Sequence, residues 1–266
     1  MTLPVSVVVT AIPSRRWFLE RHCLPSVAAN HPAEVLVEAG RGSAAEKRNR
    51  GAARATAPYL LFVDDDDELG PTCLSTLLDV LEKEPGCGFS YCDHLRRVWP
   101  GVGYPSLRRQ FLVRGRPFDA EVLRRVNYIS NTSLMRRALF PGYDPSLSRF
   151  LDWDLWLRMA ARGIAGRYVP LPLFTANIID DGMTASVRPG PAYRAIRRRH
   201  QLRWFQVDWP KWVERGVIIG QRRLTSVIRD RAGRPGDPAA PPGGERAPSS
   251  VPPRTGTPRG GPLRDT

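Results

Sequence analysis

Long apolar runs are missing from this 266-residue chain: no stretch approaches the roughly 20 apolar residues of a membrane span. Cysteine is scarce and unpatterned. Cys23, Cys73, Cys87 and Cys92 form no CxxC pair, and no His stands at zinc-site spacing, so we expect buried reduced thiols and no structural zinc. The start, Met1-Thr2-Leu3-Pro4, has no basic lead-in before the first apolar strand, which predicts no signal peptide and a cytoplasmic protein. There are no internal repeats. From Arg231 onward there are no aromatics, and nine Pro and seven Gly fill those 36 positions. Such a segment cannot bury enough surface to fold, so 231–266 reads as a disordered tail.

Charge is also unevenly placed. The net charge is +14, yet residues 188–266 hold 17 Lys and Arg against 6 acids, leaving residues 1–187 with 23 against 20. The globular part is nearly balanced, so nucleic acid is not an expected partner of the core.

What is present is an alternation of strand and helix. Val5–Thr10 reads as a buried strand and Arg15–Ala29 as a helix that Pro25 would kink. Glu34–Glu38 is a second strand. Ser43 with Glu46 forms a capping-box signature for the next helix. Tyr59–Val63 is a third strand, and Leu74, Leu77, Leu78 and Leu81 mark an amphipathic helix after Pro71. Gly88–Asp93 is a fourth strand. This order predicts a parallel sheet with right-handed crossovers. Later come a candidate strand at 131–135, a short helix at 136–140, a strong helix over Phe150–Arg162 capped by Gly163, and a candidate strand at Arg167–Val169. Ala192–Phe205 is a basic helix followed by Trp209 and Trp212, and Val217–Arg229 is a further amphipathic segment.

The third strand runs straight into Asp64-Asp65-Asp66-Asp67-Glu68. Ligands of open α/β sheets bind just past the carboxyl ends of strands. Adjacent carboxylates repel, and oxygen-only ligands suit a hard divalent ion such as Mg²⁺ or Mn²⁺. A solvated acidic turn ahead of a helix accounts for the same residues. The composition leaves both readings open.

Three blocks in order carry more: Lys47-Arg48-Asn49-Arg50-Gly51, Phe62-Val63-Asp64-Asp65-Asp66-Asp67-Glu68-Leu69, and Asp152-Trp153-Asp154-Leu155-Trp156-Leu157-Arg158. With the first strand they resemble the family 2 glycosyltransferases over residues 3–175. The resemblance implies a GT-A (Rossmann-like) α/β fold with a mostly parallel central sheet flanked by helices. It assigns 1–187 to the catalytic domain, with a basic helical extension over 188–230 ahead of the tail. It implies an inverting transferase moving a sugar from a nucleotide-diphosphate donor, UDP-sugars favoured, to an acceptor hydroxyl. Asp64 and Asp66 match the DxD motif that holds Mn²⁺ or Mg²⁺, and Asp67 matches a further acid of that block. Asp152 matches the general base; its plainer reading is an acid at a helix N-terminus. Thr10, Ile12, Glu38, Arg48, Asp64 and Asp65 fall on the nucleotide-sugar side, and Trp153 and Asp154 on the acceptor side. For Arg48 and Arg50 the plainer reading is a solvated helix face.

The chain departs from that family in places. Glu38-Ala39-Gly40 stands where Asp-Asp-Gly is common, Leu151 replaces the Glu before the base, and Asp180 or Asp181 would have to serve where many members carry a His. A sugar-1-phosphate nucleotidyltransferase would need a Gly-rich loop after the first strand, and Thr10–Arg16 has no glycine. The alternative reading is a catalytically inactive GT-A-like protein whose basic C-terminal region binds an anionic membrane or nucleic acid. Residues 190–230 fit peripheral membrane contact at the inner face, where a lipid-linked, glycan or small-molecule acceptor would be met. For Ala192–Trp212, packing on the catalytic domain is the favoured reading.

Overall fold

The computed structural model describes residues 1–99, 109–179 and 190–202, all within the first of two compact units, Met1–Glu214. β1 (Leu3–Thr10) is the spine of the sheet. Val5, Val7 and Val9 enter one core and Val8 the other, as strand alternation requires. A strand covered on both faces reads as an unbroken apolar run. β1 pairs in parallel with β2 (Pro32–Glu38) and β3 (Tyr59–Asp64), and this register sets Thr10 between Glu38 and Asp64 at the carboxyl edge.

Between β1 and β2 the expected helical segment is present, with its regular α geometry interrupted ahead of Pro25. The chain builds a 3₁₀ turn (Pro13–Arg15), α1 (Arg16–Phe18), a π-helical turn (Leu19–Cys23) and α2 (Leu24–Ala28). Pro25 has no N–H to return to the preceding turn, and the wide π turn just before it absorbs the mismatch.

α3 (Ala44–Arg54) opens on the expected capping box: Ser43 Oγ accepts from the Glu46 amide at 3.3 Å, and Glu46 Oε2 accepts from the Ser43 amide at 2.6 Å. The helix lies very close to the sheet. A Cβ at Gly51 would stand 2.3 Å from Val8 Cγ1. Gly51→Ala is therefore expected to push α3 away from β1. Such overpacking costs about 1–3 kcal/mol. A thermal melt should show it as a Tm lowered by about 2–12 °C.

β3 runs into the Asp65-Asp66 turn and β4 (Asp67–Leu69), after which α4 (Cys73–Lys83) buries Leu74, Leu77, Leu78 and Leu81 on the Val7 side. Each such leucine contributes about 1.5–3 kcal/mol. Then come β5 (Cys87–Trp99), β6 (Arg109–Val113), α5 (Ala120–Leu123), β7 (Leu134–Arg136), a 3₁₀ turn (Arg137–Leu139), α6 (Leu151–Ala161), β8 (Ala165–Ile179) and α7 (Gly190–Arg199).

The sheet order is β2-β1-β3-β7-β5-β8-β4, with β6 beside β5. The β2-β1-β3 group and the β5–β8 pair are parallel, whereas β7 runs antiparallel to both β3 and β5. The sheet is therefore mixed. β7 is reached without the long crossover helix that enforces parallel return. β8 extends well past the expected Arg167–Val169, and its far end pairs antiparallel with β4, which curls the sheet around the acidic turn.

α7 packs inward. Ala192 and Ile196 join the Val8 core, and Tyr193 stacks on Trp153 with centroids 6.0 Å apart. The aromatics expected to pack this helix on the catalytic domain lie outside the described residues, and Arg199 turns inward to Asp154. Trp204 to Trp212, Val217–Arg229, the 231–266 tail, Asp180 and Asp181 lie outside the described residues. Among the described residues no helix is long and apolar enough to cross a membrane.

Candidate active site

The Lys47–Arg50 block sits on α3 facing the carboxyl ends of β1 and β3, and each side chain takes a different task. Lys47 Nζ donates to the Ala11 carbonyl at 2.8 Å and fixes the exit of β1. Arg48 is buried and donates to Asp64 Oδ1 at 2.5 Å while lying over the Tyr143 ring, 5.3 Å from its centroid. Burial works to discharge this guanidinium, but Asp64 leads the groups that hold it charged, and its pKa ends above the usual value. Asn49 grips the Tyr143 backbone from both sides, at 2.8 Å to the carbonyl and 2.7 Å from the amide. Arg50 and Arg54 bind the two oxygens of Glu38 at 3.4 and 2.7 Å. Arg48 is thus no solvated surface residue, and it reaches the third strand as expected.

The four aspartates separate in role. Asp64 is half-buried, with its carboxylate at the mouth of the site. Asp65 is buried: Oδ2 accepts from the Ile12 amide at 2.6 Å and Oδ1 from Arg15 at 3.2 Å. Asp66 pairs with the same Arg15 nitrogen at 2.7 Å. Asp67 accepts from Thr132 Oγ1 at 3.1 Å. Burial, only partly offset by Arg15, pushes the Asp66 carboxyl up to about 7, with Asp64 and Asp65 adding to the rise. Burial also raises Asp67, with Asp66 and Asp64 adding, and raises Asp65 in spite of Ile12 and Arg15. Four carboxylates against two guanidiniums leave two negative charges when all are ionised. The cluster therefore fits a hard divalent cation. Among the described residues no three His, Cys, Asp or Glu groups surround a common point. Asp64 and Asp66 could hold such an ion only with phosphate and water oxygens completing its shell, the usual manner of Mg²⁺.

Asp65 is buried and clamps the β1 loop through the Ile12 amide and Arg15. Glu38 is buried with each oxygen on an arginine. Thr10 remains at the strand edge with its hydroxyl buried and without a partner, a group that a ligand would satisfy. Ile12 keeps its side chain at the rim, 38% exposed.

Asp152 stands in the first turn of α6, after Phe150 in a left-handed conformation (φ 59°). Its Oδ2 accepts from Asn127 Nδ2 and its Oδ1 from the Trp153 amide, both at 2.9 Å. Its charge acts on both Arg48 and Tyr143, the same pair that Asp64 acts on. Trp153 and Asp154 are not on an acceptor surface. Both side chains are fully buried: Trp153 Nε1 donates to the Leu123 carbonyl at 2.7 Å, and Asp154 binds Arg158, Arg199 and His200. Helical spacing explains this, since two consecutive residues after Asp152 turn away from the face it presents.

Sequence reasoning missed Arg15, Tyr143, Asn127 and Thr132. None lies in a patterned block: Arg15 comes from the 3₁₀ turn after β1 and the other three from loops.

Residues 24–143 match the family model described as glycosyl transferase family 2. A curated relative, the uncharacterized glycosyltransferase YibD of Escherichia coli (strain K12), is 30% identical over 93 residues, which is 33% of this chain and 27% of that protein. The structure of S. aureus TarS 1–349 in complex with UDP-GlcNAc superposes with a TM-score of 0.56 at 16% identity, covering 75% of this chain and 65% of that one. The same TarS fragment in complex with UDP gives 0.52 at 15% identity, covering 75% and 64%. The chain thus spans about a quarter of the length of YibD and just under two thirds of the TarS fragment. Residues 24–143 are thus similar to glycosyl transferase family 2, and the chain has a GT-A-like fold.

Proposed function

We propose that this protein transfers a sugar from a nucleoside diphosphate donor to an acceptor hydroxyl, with inversion at the anomeric carbon. The observation that carries the reading is the acidic turn at the carboxyl end of β3, where the buried Arg48 donates to the half-buried Asp64 at 2.5 Å. Asp64 and Asp66 would hold Mn²⁺ or Mg²⁺, which when bound offsets the charge that builds on the leaving diphosphate. Arg48 holds Asp64 in place. Asp152 accepts the acceptor's hydroxyl proton as its oxygen bonds to C1; the C1–O bond to the diphosphate breaks, and the nucleoside diphosphate leaves with the electron pair. One displacement inverts the centre. The TarS complexes hold UDP-GlcNAc and UDP, which supports testing uridine first.

Calorimetric titration of UDP, GDP, dTDP and CDP, with and without Mn²⁺, tests the donor site. Wild type is expected to bind one nucleotide at micromolar strength only with metal, about −8 kcal/mol. Asp66→Asn should weaken it at least about tenfold. Metal-independent binding that survives Asp66→Asn would remove Asp66 from the site.

A further inference from the structure

Arg15 has no place in the reading above, yet it holds the central position in the acidic turn. It ends the 3₁₀ turn that follows β1, and a single nitrogen, Nη1, reaches Asp65 Oδ1 at 3.2 Å and Asp66 Oδ2 at 2.7 Å. The two carboxylates differ in what else they bind. Asp65 is also held by the Ile12 amide, whereas Arg15 is the side-chain cation paired with Asp66. A divalent ion taken up by Asp66 would meet a guanidinium already on that carboxylate, and two cations on one carboxylate repel.

The surroundings allow Arg15 to leave. Its side chain is 14% exposed, and the neighbouring Ile12, Pro13 and Ser14 are exposed on a short turn. A donor diphosphate at Asp64 and Asp66 would place anionic oxygens beside it, and a guanidinium pairs with phosphate as readily as with carboxylate.

We propose that Arg15 is a resident counter-cation that cedes Asp66 to the divalent ion and passes to the donor diphosphate. This rests on the donor-site reading and adds a residue to it. The ion alone then binds weakly, because it must displace Arg15. Ion and nucleotide together bind strongly, because the displaced guanidinium gains a phosphate partner. By linkage each ligand tightens the other by the same factor.

The test uses the full chain as wild type, Arg15→Gln and Arg15→Lys. Mn²⁺ is titrated alone, with free ion followed by electron paramagnetic resonance, and again with saturating UDP, or with whichever of the four nucleotides binds. For wild type, nucleotide should tighten Mn²⁺ by about tenfold or more. Arg15→Gln should bind Mn²⁺ alone about tenfold tighter than wild type and lose most of the nucleotide effect. Arg15→Lys, which keeps the charge, should stay near wild type and controls for folding, as does a melt of each variant. Unchanged or weaker Mn²⁺ binding in Arg15→Gln would overturn the proposal and leave Arg15 a brace for the β1 loop. If wild type binds neither Mn²⁺ nor any nucleotide, the donor site itself falls, and the proposal falls with it.

Discussion

Asp152→Asn is expected to cut the turnover number by about 10²- to 10⁴-fold, the range for losing a positioned general base. The substitution keeps size and shape, and the amide oxygen can still accept from Asn127 or the Trp153 amide. What it removes is the ability to take a proton. Donor binding should persist, because Asp64 pairs with Arg48 and Asp66 with Arg15, whereas Asp152 bonds to Asn127 and the Trp153 amide. The measurement is steady-state release of nucleoside diphosphate at saturating donor and acceptor, beside calorimetric nucleotide affinity. Low turnover with intact affinity supports the base. A variant that transfers sugar within about threefold of wild type would return Asp152 to the role of a helix N-terminal acid, and the base would have to be sought elsewhere.

Asp154→Ala should produce the largest loss of stability. The Asp154 carboxylate is fully buried and receives Arg158 Nε at 2.8 Å, Arg199 Nη1 at 2.9 Å and His200 Nε2 at 2.9 Å. Arg199 also pairs with Asp144. Removing one side of a buried ion pair costs about 3–5 kcal/mol, and partial solvent access at Arg158 and Arg199 puts this case near about 3. Tm should fall by about 6–12 °C. Two bonds that dock α7 on α6, those from Arg199 and His200, vanish together, so the Tyr193–Trp153 stack should loosen and tryptophan emission should shift to the red. The same carboxylate sets a pH dependence. Burial favours its neutral form, but His200, Arg158 and Arg199 outweigh this and hold it at about 2, below the unfolded value of about 3.9. A depressed carboxyl pKa contributes stability that is present above the unfolded value and lost as pH falls toward the folded one. Wild type should therefore lose part of its Tm between about pH 4 and 2, and Asp154→Ala should lose less over that interval. Equal acid sensitivity in the two proteins would locate the effect in other carboxylates, Glu34 foremost, which bonds from Ser6, Thr56 and Ala57 hold at about 2 despite burial.

The parts of this protein that could be read from its residues are those fixed by local rules. The unbroken Val5–Val9 run reports a strand covered on both faces, Ser43 with Glu46 reports a helix start, and the leucines of α4 report its buried side. The order of the three blocks carries the likeness to family 2 glycosyltransferases. Side-chain partners across the fold were not legible, because nothing local specifies them. Asn49 finds the Tyr143 backbone 94 positions away, and Arg15 finds Asp65 and Asp66 about 50 positions away. The same limit explains Glu38, Asp65, Trp153 and Asp154. Each has a residue type suited to a ligand, and each is engaged by groups that only packing brings near.

The sequence by itself determined the α/β layering, the strand end that carries the acids and the helix that carries Asp152, since propensity, periodicity and capping act within a few residues. The tertiary structure alone decided that β7 runs antiparallel between β3 and β5, which carboxylates stay open, and that Arg15 stands on Asp66. Those outcomes depend on burial and on charge balance among distant segments, and neither exists until the chain has closed on itself.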